Sequence, residues 1–509
     1  MRPVSPRSLV LSQAYFLWVL FPTGLGAAPV TDPPLVFASP NEELDSLFGF
    51  SVDGVPDTNG DGQSEAIVGA PTEEPSGSPT DSGRAYLFDG ATGNLLFSFA
   101  SPNADSQGRF GVSVSGVPDT NGDGRGDILI GASGEDPGGS PLSAGRAYLF
   151  SGATGGLLRT FIPPDEESDG FFGIAVTGIA DLSGDRRGEV VIGASGVDPG
   201  GSPNGAGRVY VFNGSTGGSI RTLASPNEAN NGSFGLAVAA VPDTNGNTGE
   251  DIIVGAPIED SSSNDSGRAY LFDGPTGNLL RSFVSPNAEF EGFYGGAVAG
   301  VLDTTGDGRG EVLIGARSED PTGSPGDAGR AYLYNGATGD SIRQFRSPNE
   351  EFEGFFGASV EGTADANGDN LGDLLVGAPF EDPGGSPSES GRVYLFDGAT
   401  GSLLQTLASP NADNDSNFGF ALGNLNVTRQ FQRRGFVVGA NEENPGSSPL
   451  GAGRAYVFFI PQPAPDYDVA PDPADGFIDA RDLLEWLEGG SLAFNLFDFS
   501  RFWRQITRK

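Results

Sequence analysis

The chain has 509 residues, including 81 glycines and 38 prolines, and sets 67 acidic against 28 basic side chains for a formal charge of −39. An acidic surface of this kind repels nucleic acid and anionic lipid, which bind basic patches. With no cysteine and no histidine, disulfides, thiolate metal sites, the usual zinc ligand and every histidine-containing triad are excluded.

In chain order, Arg2 and Arg7 precede an apolar run from Leu9 to Leu20, and Gly24 to Ala28 form a small-residue cleavage site. Residues 1–28 therefore read as a secretory signal peptide cut after Ala28, which implies a secreted protein, extracellular or at the cell surface. Ser12, Gln13 and Tyr15 leave the run too short to span a bilayer, and no integral membrane span is expected after cleavage.

From 33 to 460 a unit of about 62 residues is written seven times. Each copy opens with an aromatic–glycine pair: Phe48-Gly49, Phe110-Gly111, Phe172-Gly173, Phe234-Gly235, Tyr294-Gly295, Phe356-Gly357 and Phe418-Gly419. In every copy a Gly-Ala pair follows 21 residues after the aromatic, first at Gly69 and last at Gly439. Within the first copy, FGFSVDGV alternates as a half-buried strand does, and AIVGA suits a buried central one. RAYLF and LLFSFA supply two more strands around a DGATGN turn. Four short antiparallel strands repeated radially predict an all-β, seven-bladed β-propeller. The seventh copy lacks the last strand of the other six, and that strand appears instead at Leu35 to Asn41. The N-terminal strand is thus expected to complete blade 7 and pair two otherwise open edges.

This pattern resembles the FG-GAP repeat family, the propeller of integrin α subunits, over about residues 35–460. The likeness rests on the aromatic–glycine pair, the acidic loop, and Gly-Ala-Pro at 69–71, 255–257 and 377–379; other copies have Ser133, Ser195, Arg317 or Asn441 for the proline.

Between the first and second strand of each of the first six copies lies a nine-residue polar loop with oxygen-bearing side chains at positions 1, 3, 5 and 9. Calcium takes six to eight oxygens in loose geometry, carboxylates and backbone carbonyls together, and the resemblance implies the same use. Three loops carry the full set: Asp57, Asn59, Asp61, Glu65; Asp119, Asn121, Asp123, Asp127; and Asp365, Asn367, Asp369, Asp373. Two place a hydroxyl at position 3: Asp181, Ser183, Asp185, Glu189 and Asp303, Thr305, Asp307, Glu311. The fourth loop, Asp243, Asn245, Asn247 and Asp251, has two carboxylates and is expected to bind most weakly. The seventh has Val427, Arg429, Phe431 and Gly435 at these positions and is expected to be metal-free. The expectation is up to six Ca2+ ions, one in each of blades 1–6.

Arg125-Gly126-Asp127 spells the tripeptide that integrins recognise, but here it falls on loop positions 7 to 9. The arginine opening each third strand, Arg84 to Arg454, reads as a structural pair with a neighbouring acid or carbonyl. Opposite the acidic loops, the connections before Tyr294 and Phe356 are the most apolar, with Phe290, Phe293, Phe352 and Phe355. These aromatics can engage a protein or stack on a sugar, or else plug the seam between blades. Residues 461–475 form a Pro-rich linker, and 476–509 resemble a degenerate dockerin-like helical tail with Asp475, Gly476, Asp479 and Asp482 at EF-hand-like spacing. Pro471 and Pro473 stand where early ligands belong, so the tail suggests anchoring to a surface or complex more than a calcium site. The reading that follows is a non-catalytic, calcium-binding interaction or adhesion module for an extracellular protein or polysaccharide. The alternatives are an extracellular carbohydrate-active hydrolase or lyase, for which paired carboxylates can suffice, and a glycan-binding accessory protein.

Overall fold

A computed structural model describes residues 33–460 except 76, 202, 261–264, 321–324, 383, 384, 386, 426–433, 445, 447 and 448. The signal segment, the linker, the tail, and Val427, Arg429 and Phe431 of the seventh loop lie outside the described residues. The described residues form seven four-stranded sheets, each antiparallel throughout. In blade 1 the strands are Ser51–Val55, Glu65–Ala70, Arg84–Phe88 and Leu95–Phe99, running outward from the ring centre. The seventh sheet takes its outer strand, Leu35–Phe37, from the other end of the chain, with Leu35 opposite Val457 and Phe37 opposite Ala455. The ring closes as the circular offset of the sequence predicts.

Every second strand is buried along its whole length, from Glu65–Ala70 in blade 1 to Gly435–Ala440 in blade 7. Neighbouring blades cover both of its faces, which explains a continuous apolar run where alternation would mark a one-sided sheet. The core is accordingly divided into seams, each cluster joining residues of two adjacent blades. At the closing seam Phe37, Val437 and Val457 of blade 7 meet Phe48, Val68 and Phe88 of blade 1.

The aromatic–glycine pair has two jobs at these seams. The aromatic packs edge-on against the phenylalanine of the third strand, as Phe48 does on Phe88 with centroids 6.0 Å apart at 87°. Its backbone also bridges in parallel to the preceding blade, Phe110 to Gly83 and Phe48 to Gly453 across the closure. The glycine that follows has φ near +90°, and a Cβ at Gly49 would lie 2.3 Å from the Arg454 carbonyl oxygen, so no other residue fits there. At the ring centre the inner strands approach just as closely. A Cβ at Gly54 would stand 2.1 Å from the carbonyl oxygen of Asn424 in the neighbouring blade.

Candidate metal loops and the opposite face

Each inner strand runs from its aromatic–glycine pair down to an acidic loop, and each third strand, one strand further out, descends in the same direction to a tight turn. The acidic loops and these turns therefore share one face of the ring, and all other connections share the opposite one.

Loop 1 is wound around its own first residue. Asp57 accepts the amide N–H of Gly60 at 2.5 Å and of Gly62 at 3.0 Å, Asn59 accepts that of Asp61 at 2.8 Å, and Asp61 accepts that of Gln63 at 2.7 Å. Gly60 and Gly62, at φ +94° and +83°, permit the curl. Glu65, fully buried at the start of the second strand, accepts the Thr58 N–H at 2.7 Å through Oε2, while its Oε1 has no hydrogen-bond partner. Burial, with Asp57 and Asp61 adding repulsion, pushes its carboxyl up to about 8. Carboxylate oxygens of Asp57, Asp61 and Glu65 come within 4.8 Å of one another. An orphaned buried oxygen facing two further carboxylates is the environment that a hard cation satisfies, so these residues fit calcium.

The same convergence occurs at Asp181, Asp185 and Glu189 and at Asp303, Asp307 and Glu311. In loop 5 burial again pushes Glu311 up to about 7. The hydroxyls at position 3 are close at hand, Thr305 donating to Glu311 at 3.3 Å and Ser183 accepting from Asn213 at 3.0 Å.

The other three loops carry aspartate at position 9, one methylene shorter, and their acids are arranged differently. Asp127, Asp251 and Asp373 each turn one oxygen to the N–H of a turn glycine, Gly152, Gly274 or Gly398, at 3.0–3.2 Å. The other oxygen accepts the N–H of Thr120, Thr244 or Ala366. Asp119 and Asp365 remain wound into their loops like Asp57. Asp123 and Asp369 accept the N–H at position 7, and Asn121 reaches Asp127 at 3.3 Å while Asn367 reaches Asp369 at 3.4 Å. Glutamate and aspartate at position 9 alternate over blades 1–6, so converged and self-satisfied loops alternate there too.

Three features escaped the sequence reading. The first is the residue that opens the turn after each third strand: Asp89, Ser151, Asn213, Asp273, Asn335 or Asp397. It faces the acidic loop, as where Asn335 donates to Asp307 at 3.0 Å and Asn213 to Asp185 at 2.8 Å. In blade 4 Asp273 accepts both side-chain amides of its loop, Asn245 at 2.7 Å and Asn247 at 2.5 Å. Burial would raise the Asp273 carboxyl, but hydrogen bonds from Thr276, Asn245 and Asn247 outweigh it and hold the group below the ordinary range.

The second feature is a set of cross-blade ion pairs. Arg125, at position 7 of loop 2, reaches Asp57 of loop 1 at 3.0 Å; Arg187 reaches Asp119 at 2.7 Å and Arg309 reaches Asp243 at 2.9 Å. The Arg-Gly-Asp tripeptide is thereby committed inward, since Arg125 is paired and Asp127 is fully buried.

The third feature is a buried lock on the opposite face. Tyr86 donates to Glu73, which also accepts from Ser39 at 2.8 Å and Asn41 at 3.0 Å. Tyr148–Glu135, Tyr270–Glu259, Tyr332–Glu319, Tyr394–Glu381 and Tyr456–Glu443 repeat the pair. The Ser-Pro-Asn triplets and the recurring glutamate were the available signal. The third-strand arginines behave as expected, Arg146 pairing with Glu166 at 2.6 Å and Arg454 with Glu42 at 2.8 Å.

The four loop aromatics separate into two kinds. Phe293 lies under the Arg317 guanidinium, 5.1 Å from its ring centre, and Phe355 packs edge-on against Phe380 at 5.4 Å. Phe290 and Phe352 are 61 % and 66 % exposed. Among the described residues the five most exposed large apolar side chains are these two with Leu44, Leu142 and Leu450, and all five sit on this face.

The described residues form a seven-bladed propeller, and two stretches of it, residues 110–150 and 356–396, match the family described as FG-GAP repeat. The chain is similar to integrin alpha subunits. It is 30% identical to integrin alpha-5 of Xenopus laevis over 185 residues, 33% of this chain and 16% of that protein. Against integrin alpha-10 of Homo sapiens it is 26% identical over 301 residues, 57% of this chain and 24% of that protein. The chain thus spans less than a quarter of the length of these relatives. A chain from a crystal structure of BBS1N in complex with ARL6DN, soaked with lead, superposes with a TM-score of 0.48 at 11% identity, covering 85% of this chain and 98% of that one. Among the described residues no helix is long and apolar enough to cross a membrane.

Proposed function

We propose that the protein is a secreted, calcium-stabilised interaction module that binds an extracellular protein or polysaccharide through the face opposite its acidic loops. The observation that carries this reading is the gathering of Leu44, Leu142, Phe290, Phe352 and Leu450 on that one face. Exposed aromatics held on a rigid ring lose little conformational freedom on contact and suit recognition. Likeness to integrin alpha subunits supports an interaction role, and the acids recur blade after blade where a catalytic pair is singular. Calcium belongs first to loops 1, 3 and 5, held by Asp57, Asp61 and Glu65 and their counterparts; loops 2 and 6 offer the same ligand types in a tighter arrangement. There it would cross-link strand to loop and cancel the repulsion among the acids. Anchoring through residues 476–509 belongs to the same proposal.

The test is capture of the mature chain on a panel of polysaccharides, matrix proteins and cell envelopes, in millimolar calcium and again in chelator. Capture that disappears in the Phe290→Ser/Phe352→Ser variant, with melting unchanged, is the expected result. Capture unaffected by that variant would remove the face from consideration, and no capture by an intact fold would remove the binding role.

A further inference from the structure

The fourth loop departs from the other five in a way that goes beyond a shortage of carboxylates. In the other five loops position 5 is an aspartate: one oxygen accepts the N–H at position 7, as in Asp61 with Gln63, and the other is a carboxylate acceptor too, taking an amide N–H from Asn213, Asn335 or Asn367 in loops 3, 5 and 6. In loop 4 position 5 is Asn247. Its Oδ1 accepts the Gly249 N–H at 2.9 Å, so the group turned inward is the NH2. Asn245 is fixed the same way, its Oδ1 accepting the Asn247 N–H at 3.1 Å. Rotating either amide would set N–H against N–H, so the network dictates both orientations.

Both NH2 groups meet Oδ1 of Asp273, at 2.7 and 2.5 Å. The remaining acids are fully engaged. Asp243 accepts Gly246, Asn245 and Thr248 N–H groups and pairs with Arg309, while Asp251 accepts from Thr244 and Gly274. Two hydrogen-bond donors converge where a cation would need acceptors, and the loop has no orphaned carboxylate comparable to Glu65.

We infer that blade 4 carries a cation-independent lock, in which the Asn245 and Asn247 amides bridge the loop to Asp273 and take the structural place of calcium. The ring would then hold five ions rather than six and keep one blade closed when calcium is withdrawn. The contrast rests on calcium filling the other loops; the lock itself does not.

The experiment is equilibrium dialysis of the full mature chain in millimolar calcium, counting ions per chain, beside melting curves in calcium and in chelator. Asp61→Ala should lower the count by one, whereas Asn247→Ala and Asp273→Asn should leave it unchanged. Asn245→Asp/Asn247→Asp should raise it by one. Asp273→Asn should lower the melting temperature equally in calcium and in chelator. Loss of an ion in Asn247→Ala or Asp273→Asn, or a melting shift confined to calcium, overturns the lock. An unchanged count in Asp61→Ala instead overturns the calcium reading, and the chelator melting curves still decide the lock.

Discussion

Tyr210 packs with Val197 in the seam between blades 2 and 3, and its buried hydroxyl has no hydrogen-bond partner. In every other blade the tyrosine donates to a glutamate at the place of Val197. The serine and asparagine that complete the lock elsewhere are Pro163 and Asp165 here. The three partners were replaced together, as expected if a buried carboxyl is tolerated only with its full set of donors.

Tyrosine-to-phenylalanine exchanges should therefore differ sharply by blade. Tyr210→Phe removes a buried hydroxyl that bonds nothing and should leave stability unchanged or raise it, by at most about 1–3 kcal/mol. Tyr148→Phe strips a donor from Glu135 and should cost about 1–3 kcal/mol. Urea unfolding midpoints decide it; equal effects would mean that the lock contributes nothing.

Burial pushes Glu135, Glu319 and Glu381 up to about 7, against an ordinary value of 4.5. A carboxyl with a raised folded-state pKa binds its proton more tightly in the fold. Its contribution is complete below about 4.5 and is lost as the pH climbs through about 7. In chelator the melting temperature should fall between those values and level off above them, with a shallower fall in Glu135→Gln. A melting temperature that climbs over the same range contradicts the assignment.

Arg125 and calcium compete for one carboxylate. The guanidinium sits 3.0 Å from Asp57 Oδ2, so Arg125→Ala should lower the melting temperature in chelator yet tighten calcium binding at loop 1. Both groups are partly exposed, and solvent screening limits such a pair to about 1 kcal/mol, so a tightening of about fivefold is the ceiling. Calcium titration followed by melting temperature measures both signs; weaker binding in the variant would show that Arg125 orients Asp57 for the ion.

Phe37 closes the ring. It is 1% exposed and stacks on Phe88 with centroids 4.5 Å apart and planes 8° from parallel. Phe37→Ala should cost about 3–5 kcal/mol, a large effect for a residue in a three-residue strand. A near-neutral result in urea would indicate that blade 7 holds without its borrowed strand.

The architecture was legible because its determinants are local and repeated: an invariant interval from Phe48 to Gly69, an apolar second strand, and a missing last strand recovered at Leu35. The site was legible only in residue type. Alternation of Glu65, Asp127, Glu189 and Asp251 is plain on the page, but it reads as a conservative exchange until a single methylene is seen to decide which oxygens converge. Arg125 could be assigned only its backbone carbonyl, because its side chain acts across a seam, 68 residues from its partner. Asp273 sat in an ordinary turn motif, and nothing in its spacing shows that the turn lies against the loop. What crosses between blades is set by three-dimensional neighbourhood, which a one-dimensional period does not encode.

The borrowed strand also gives the ring a mechanical asymmetry. The chain enters through Leu35–Phe37, an edge strand held by one short ladder, and leaves through Arg454–Phe459, which is paired on both flanks. Tension applied beyond residue 460 is shared by two ladders, whereas tension applied ahead of residue 33 is borne by one. An attachment on the C-terminal side would hold under load, and a tug on the N-terminal side would unclasp the ring at the seam where it was fastened.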